Sequence, residues 1–240
     1  MALRDRELSL IEHLDELRRR LTVAAIAVVI TTAFSFTFAE RLIALLLLPS
    51  GETKCIALAP TENFATFMRV AFFAGIAFAM PMILYQLFRY IDPALLPKER
   101  RFVLTLGPFV LLLFVVGMLF CYFLLLPQAL GFLINFGSGV IENQLRCAEY
   151  LSFVTTFILG MGIVFEMPAI IYALVRVGVV SRPWLASKRR YVFLLVFLIG
   201  ALITPTPDPF NQALVALPMY LLFEIGLLLA RVAGGRRAAA

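Results

Sequence analysis

The sequence is poor in the residues that most enzymes use for catalysis and for metal binding. Its 240 residues include one histidine, His13, together with three lysines and three scattered cysteines. A lone histidine does not supply the ligand set of a zinc site. No lysine follows a glycine, which excludes a phosphate-binding loop, and no serine or cysteine has a histidine partner within an apolar run, which argues against an intramembrane hydrolase. We expect no catalytic residue, no metal and no cofactor.

Charged residues are scarce as well. They make up 15% of the chain, against 62% hydrophobic residues, and the mean hydropathy is +0.96; soluble domains carry about 25% charged residues. Several uncharged runs approach the ~20 residues that cross a bilayer as a helix, and the alternating strands of a membrane barrel are absent. The sequence predicts an all-α integral membrane protein. The net charge of +6 does not indicate nucleic-acid binding, because the cations lie in short loops beside apolar spans.

The apolar runs predict six transmembrane helices within one domain over residues 1–240. An amphipathic helix at 8–20 precedes them and is expected to lie at the membrane interface. Long loops are expected after the first and third spans, the second of them at residues 127–149 and opened by Pro127. The last two spans are predicted to be short, about 21 Å for the first of them, which requires a locally thinner bilayer. The expected spans are residues 21–39, 67–88, 102–126, 150–175, 191–204 and 210–230.

The cations also predict the orientation. All of the 21 lysines and arginines fall on one side of the predicted topology except Arg41, Lys54, Arg69 and Arg146. Cytoplasmic loops carry the excess of positive charge. The pattern therefore places both termini in the cytoplasm. No internal repeat is visible, so the sequence does not support an inverted-repeat transporter.

A charged segment from Arg89 to Arg101 separates two apolar runs. Pro93 and Pro97 prevent a continuous helix across it, and most of its other polar residues are cations. Glu99 is a lone carboxylate between Lys98 and Arg100. Two interpretations are open from the residues alone: a ligand-binding carboxylate, or a surface acid paired with its neighbours.

Glu166 lies well inside the fourth predicted span. An ionisable group at that depth costs roughly 2.5–3.5 kcal/mol on insertion scales, so it needs an internal reason. One interpretation is a protonated glutamate that is hydrogen-bonded within the bundle; the other is a polar groove that receives a partner or a substrate. Gln86 and Gln212 are expected to form hydrogen bonds within the bundle, and Glu224 to form an ion pair near the interface beside Arg231.

Cys55 and Cys147 fall in the two long loops on the same predicted side. In an oxidising compartment a disulfide between them would tie the loops into one cap; the alternative is two free thiols. Cys121 lies within the third predicted span, where it is expected to be a small apolar filler.

Several segments together resemble the TatC family, the multispanning subunit of the twin-arginine protein translocase. The resemblance runs in order through nearly the whole chain, and its segments are His13-Leu-Asp-Glu-Leu-Arg-Arg-Arg-Leu21, Pro60-Thr-Glu-Asn-Phe64, Tyr90-Ile-Asp-Pro-Ala-Leu-Leu-Pro-Lys-Glu-Arg-Arg101, Tyr150-Leu-Ser-Phe153, Phe165-Glu-Met-Pro168, Lys188-Arg-Arg-Tyr191 and Leu217-Pro-Met-Tyr220.

The resemblance implies protein transport across the bacterial inner membrane. TatC proteins bind signal peptides that carry an arginine pair and, with single-span TatA-type and TatB-type partners, export folded proteins using the proton-motive force. It also implies self-association in a receptor complex, contact with membrane lipid, and a concave intramembrane face lined by the glutamate matching Glu166. The implied signal-peptide site comprises Glu16, Arg18, Tyr90, Pro93, Glu99, Arg100 and Arg101, and the implied partner contact comprises Asp208 and Gln212.

The sequence departs from the family pattern in three places. Tyr90 stands where phenylalanine is usual, and Asn63 stands where proline is common. The hairpin Thr204-Pro-Thr-Pro-Asp208 is one residue longer than the usual pattern, which affects the match of Asp208. A competing hypothesis is a proton-coupled transporter of a small solute that uses Glu166. This hypothesis predicts polar residues near the midplane on several spans, and Glu166 is essentially the only such residue in the sequence.

Overall fold

The computed structural model describes residues 10–51, 55–91, 97–136, 145–204 and 208–235. Within these ranges the chain is almost entirely helical. The helices are α1 (Leu10–Phe36), α2 (Ala39–Leu47), α3 (Pro60–Ile91), α4 (Pro97–Phe120), α5 (Leu126–Asn135), α6 (Cys147–Val164), α7 (Met167–Val177), α8 (Arg182–Ser187), α9 (Arg189–Ile203) and α10 (Pro209–Gly235). A π-helical segment, Cys121–Leu125, joins α4 to α5.

Among the described residues, five helical stretches are long and apolar enough to cross a membrane. Their outward faces are apolar: Val29 of α1 is 68% exposed and Leu217 of α10 is 64% exposed. A water-soluble protein would cover so much apolar surface, whereas lipid solvates it. The chain is therefore a multi-pass membrane protein. Helix α9, with 15 residues, is about 22 Å long and falls short of a full bilayer crossing.

Helix α1 differs from the predicted arrangement at the N-terminus. The sequence predicts an interfacial helix at 8–20 followed by a separate span, but residues Leu10–Phe36 form one helix. No proline or glycine occurs between these residues, so nothing in the backbone interrupts the helix where the charged part meets the apolar part.

The third span is also longer than predicted. Pro127 was expected to end it at residue 126, but the helical path continues to Asn135, so residues 127–135 are not loop. A proline inside an α-helix clashes with the carbonyl four residues earlier. Here the π-helical segment precedes it, and the amide of Leu126 bonds the carbonyl of Cys121. The wider π turn accommodates the ring, as π-bulges do in other helices.

The final helix corrects a further prediction. The sequence predicts two short last spans, and α9 agrees, but α10 has 27 residues and continues past Glu224 to Gly235. The chain tolerates a carboxylate there because Glu224 has a charged partner on α9, described below. The fourth predicted span is divided at Glu166: α6 ends at Val164 and α7 begins at Met167.

Two ends of the bundle matter for function. At the first, α3 ends and α4 begins; we call it the hinge end. At the other, which we call the cap end, Cys55 and Cys147 form a disulfide with their Cα atoms 4.9 Å apart. Two short parallel strands, Cys55–Ile56 and Leu145–Arg146, pair beside it. The loop before α3 and the loop before α6 are thereby held together.

The core lies around α6. Its largest fully buried side chains include Phe157 and Met161, which pack with Met219 of α10. Helices α4 and α6 approach closely at glycines. A Cβ atom added to Gly162 would lie 2.8 Å from the ring of Phe114, so a side chain at this position has no space. Small residues allow this approach, which is typical of membrane helix pairs.

Candidate functional site

Helices α1 and α3 pack side by side in opposite directions and set the position of the hinge end. Thr31 donates a hydrogen bond to the carbonyl of Gly75 (2.7 Å), and Arg20 Nη1 donates one to Gln86 Oε1 (3.3 Å). Both contacts fit a single antiparallel register. Extending this register by four residues beyond Arg20 and Gln86 places Glu16 of α1 level with Tyr90, in the last turn of α3.

Glu16 is half-buried and has a partner on its own helix. Its Oε1 accepts a hydrogen bond from Arg20 Nη2 at 3.0 Å, and the two side chains are 22% and 24% exposed. The second terminal nitrogen of Arg20 reaches Gln86 on α3, as described above. Arg20 therefore connects the carboxylate to the neighbouring helix. Ion pairs of this kind near a surface contribute at most about 1 kcal/mol, so a competing guanidinium can replace Arg20 at little cost.

Arg18 and Tyr90 also lie at the hinge end. Arg18 is exposed on α1, and Tyr90 is half-buried at the end of α3. Pro93 lies outside the described residues, as do the side chains of Glu99, Arg100 and Arg101, whose backbone forms the first turns of α4. Packing of Gly107 against the ring of Phe88 holds α4 beside α3. The first turn of α4 thus lies at the same end of the bundle as Glu16.

Glu166 occupies the break between α6 and α7. It is 4% exposed, and neither carboxylate oxygen has a hydrogen-bond partner within the described part of the chain. Of the two interpretations, a glutamate hydrogen-bonded within the bundle is therefore not found among the described residues. Its amide bonds the carbonyl of Ile163, and its carbonyl accepts from Ile170, so the backbone continues through the break. A buried carboxyl group without a partner is costly to keep, which favours a role for it.

The start of α10 carries a second polar group. Asp208 accepts hydrogen bonds from the amide and the side chain of Asn211, at 2.7 and 2.9 Å, which is the pattern of a helix N-cap. Gln212 donates to the carbonyl of Phe197 on α9 at 2.9 Å. Gln86 and Gln212 thus both form the expected hydrogen bonds between helices. Sequence reasoning missed Asn211, although its spacing from Asp208 is a capping signal.

The cap end contains an ion-pair cluster that the sequence did not predict. Glu62 is 7% exposed and accepts hydrogen bonds from Arg146 Nε (3.1 Å) and from the amides of Leu58 (3.1 Å) and Ala148 (3.3 Å). Arg146 also contacts Glu149 at 3.1 Å. The hydrogen bond that Arg146 donates to Glu62 raises the pKa of Arg146 above its usual value. The cluster reinforces the disulfide by joining the same two loops.

Glu224 has a different partner from the one expected. The sequence places Arg231 near it, but Glu224 pairs with Arg189 at the start of α9, with contacts of 2.7 and 2.9 Å. Tyr220 also donates to Glu224 Oε1 at 3.3 Å. Arg231 lies two turns further along α10, whereas the hairpin brings α9 alongside Glu224. The pair closes the end of the α9–α10 hairpin.

The chain matches known proteins over most of its length. Residues 12–218 match the model of the family described as Sec-independent protein translocase protein (TatC). Three curated relatives carry that name. Those from Carboxydothermus hydrogenoformans, Aquifex aeolicus and Escherichia coli strain K12 are 33%, 39% and 40% identical, over 95%, 93% and 95% of this chain and 94%, 95% and 90% of their own lengths.

A solved structure matches as well. The crystal structure titled Twin Arginine Translocase Receptor TatC superimposes with a TM-score of 0.84 at 39% identity, covering 93% of this chain and 100% of that one. A second crystal structure of the receptor, in the detergent DDM, has the same TM-score and identity. The agreement in sequence, in length and in fold places the chain in the TatC family of Sec-independent protein translocase proteins.

Proposed function

We propose that this chain is the receptor subunit of a twin-arginine translocase in a bacterial inner membrane. It binds arginine-pair signal peptides through Glu16 and Glu99 and, with TatA-type and TatB-type single-span partners, exports folded proteins using the proton-motive force. Membership of the TatC family supports the translocase role. The observation that carries the binding site is Glu16, a half-buried carboxylate whose partner, Arg20, is itself a guanidinium.

Chemical complementarity supports carboxylates as the groups that bind the arginine pair. Arginine binds a carboxylate through two parallel hydrogen bonds, which lysine does not form, so carboxylates discriminate an arginine pair from a lysine pair. Successive side chains of an extended peptide point in opposite directions. Two carboxylates on separate helices, Glu16 on α1 and Glu99 on α4, therefore suit two consecutive arginines better than two acids on one helix face. On binding, a guanidinium group of the signal peptide replaces Arg20 as the partner of Glu16.

Positive charge around the site makes the two carboxylates, Glu16 and Glu99, selective for their ligand. Arg18, Arg100 and Arg101 add to the cationic surface of this end of the chain, which repels basic peptides that lack a matching acid. Tyr90 and Pro93 are proposed to form the part of the hinge end that contacts the peptide. The phenolic hydroxyl, present here where phenylalanine is usual in the family, adds one hydrogen-bonding group.

The proposed topology has six spans with both termini in the cytoplasm and a concave intramembrane face that includes Glu166. Five stretches within the described part of the chain meet the length of a full crossing, and α9 is proposed as the sixth. At about 22 Å it is shorter than the ~30 Å hydrocarbon layer. A bilayer thinned around α9 and α10 accommodates it, and transport is then expected to decrease in thicker bilayers.

The edge formed by α9 and α10 is proposed as the contact for the single-span partners. Asp208 and Gln212 lie at this edge, and the outward face of α9 is strongly exposed at Leu194, Leu198 and Leu202. An apolar helix face beside a few polar groups suits a membrane-embedded partner helix. Cysteine crosslinking from Leu198 to a partner, compared with Val29 on α1, tests this contact.

Site-specific crosslinking tests the signal-peptide site. A photo-reactive residue placed next to the arginine pair of a signal peptide should be captured by the full-length chain in membranes, and replacing the pair with two lysines should abolish capture. Glu16→Gln and Glu99→Gln should each reduce capture at least tenfold. Asp15→Asn, an exposed acid next to Glu16, is the matched control and should leave capture unchanged. Undiminished capture by either glutamine variant removes that glutamate from the site.

A further inference from the structure

Apart from the proposed signal-peptide site, the structure has an apolar groove near the cap end. It lies between α2, α3, the end of α4, the π-helical segment and α6, and its volume is about 370 Å³. The exposed side chains of Leu45, Phe78 and Phe123 form its mouth, and Val70 and Thr155 form its floor. Its volume falls within the range of small-molecule sites, about 300–1,000 Å³. We call it the cap groove.

The cap groove offers no polar recognition. Its polar atoms are already paired: the hydroxyl of Thr155 donates to the carbonyl of Leu151 at 2.6 Å, and that of Tyr122 donates to the carbonyl of Leu45 at 2.8 Å. The second bond also ties α2 to the π-helical segment, so one wall of the groove is built on a π turn. An occupant must therefore be apolar along the length of the groove.

The depth of the groove matches one leaflet. Arg69 Nη1 donates to the carbonyl of Ala148 (3.3 Å), so its guanidinium is level with the first turn of α6. From there, Thr155 and Leu159 lie seven and eleven residues along the sequence, or about 10 and 16 Å along the helix. Half of the hydrocarbon layer is about 15 Å. The groove thus extends from the membrane surface to near the midplane.

The width of the groove distinguishes between apolar occupants. A volume of about 370 Å³ over a depth of about 15 Å gives a mean cross-section of about 25 Å². A helix with its side chains is at least about 10 Å across and needs about 80 Å². A groove of this size favours an extended hydrocarbon chain over a whole partner helix.

A cation stands at the surface end of the groove. Arg69 is exposed and lies one helical turn from the lining residue Phe73. Its contact with Ala148 uses one of five guanidinium N–H groups, which leaves donors for an anion. Guanidinium groups bind phosphate through paired, charge-assisted hydrogen bonds. We propose that the cap groove binds a phospholipid of the adjacent leaflet, with an acyl chain in the groove and the phosphate on Arg69.

Native mass spectrometry of the full-length chain tests this site. The chain is released from bilayer discs that contain dioleoyl phosphatidylglycerol and dioleoyl phosphatidylcholine. We expect one phospholipid to remain bound after the other lipid is stripped. Ala77→Phe, which fills the groove, should reduce the retained lipid at least tenfold, whereas Ala25→Phe on the exposed face of α1 should not. Arg69→Gln should lower the excess of phosphatidylglycerol over phosphatidylcholine. Retention by Ala77→Phe equal to that of the parent chain overturns the proposal.

A crosslinking measurement keeps the proposal testable if Ala77→Phe lowers stability. A benzophenone residue at Phe78 should attach phospholipid on illumination in membranes, several times more than the same residue at Ile26, which is 54% exposed on α1. Lipid attachment at the Ile26 level overturns the proposal. Attachment of a polypeptide in place of lipid also overturns it, because the groove then serves a protein partner.

Discussion

Arg189 and Glu224 form a two-point ion pair between helices α9 and α10. Arg189 Nε lies 2.7 Å from Glu224 Oε1, and Arg189 Nη2 lies 2.9 Å from Oε2. The geometry uses both oxygens of the carboxylate and two nitrogens of the planar guanidinium, which is the arrangement that favours arginine over lysine. It explains how α10 continues through a charged residue.

Arg189→Lys should weaken the α9–α10 hairpin. Lysine keeps the charge but loses the second hydrogen bond. Arg189 is 49% exposed, so solvent screening limits the effect, and we expect the melting temperature in detergent to fall only on the order of 2 °C. Arg190→Lys is the matched control and should change the melting temperature less. Equal shifts for both variants would show that the two-point geometry contributes nothing.

The Cys55–Cys147 disulfide should be present in the protein taken from membranes. Denaturation and alkylation without a reductant should label Cys121 alone, and mass spectrometry should show three labels after reduction. The two cysteines are 92 residues apart, and the chain-entropy estimate for a loop of that size is about 4–5 kcal/mol. Cys55→Ser should therefore lower thermal stability strongly, whereas Cys121→Ser should have a small effect. Labelling of all three cysteines without a reductant contradicts the bridge.

Gly117→Ala should destabilise the contact between α4 and α6. A Cβ atom at residue 117 would lie 2.8 Å from the carbonyl oxygen of Met161 and 2.7 Å from the Cβ atom of Phe165. Backbone cannot yield as a flexible side chain does, so we expect a loss of about 1–3 kcal/mol.

Gly131→Ala is the control for that change. It is also a glycine-to-alanine replacement in a helix, but nothing lies within 4 Å of the added atom. Alanine in a helix interior is favoured over glycine by about 0.5–1 kcal/mol, so thermal stability should stay the same or rise. A similar loss in both variants would attribute the effect to the helix backbone and not to packing.

Glu166→Leu should raise thermal stability and reduce transport. The carboxyl group is 4% exposed without a hydrogen-bond partner among the described residues, so its removal relieves a desolvation cost of about 1–3 kcal/mol. Transport of a folded cargo should fall if the carboxyl group serves the proposed intramembrane face. Glu40→Leu, at an exposed acid, should change stability little. A lower melting temperature for Glu166→Leu would mean that the group is already satisfied in the membrane.

The sequence predicts the features that depend on neighbours along the chain. Uncharged runs of about 20 residues indicate membrane helices because the cost of unpaired backbone in lipid allows few alternatives. Short motifs in order indicate the family, and Pro168 gives the break at Glu166 a local cause. These properties need no knowledge of how the helices pack.

Only the tertiary structure decides which residues meet across helices. The sequence predicts Arg231 as the partner of Glu224, whereas in the folded protein the partner is Arg189. The sequence predicts no partner for Glu62, which accepts a hydrogen bond from Arg146 at the cap end. The π turn that lets the helix continue through Pro127 was equally hidden. The physical reason is that a helix contact depends on register and on the approach of two backbones, set by the packing of many residues, whereas hydropathy and helix propensity act locally.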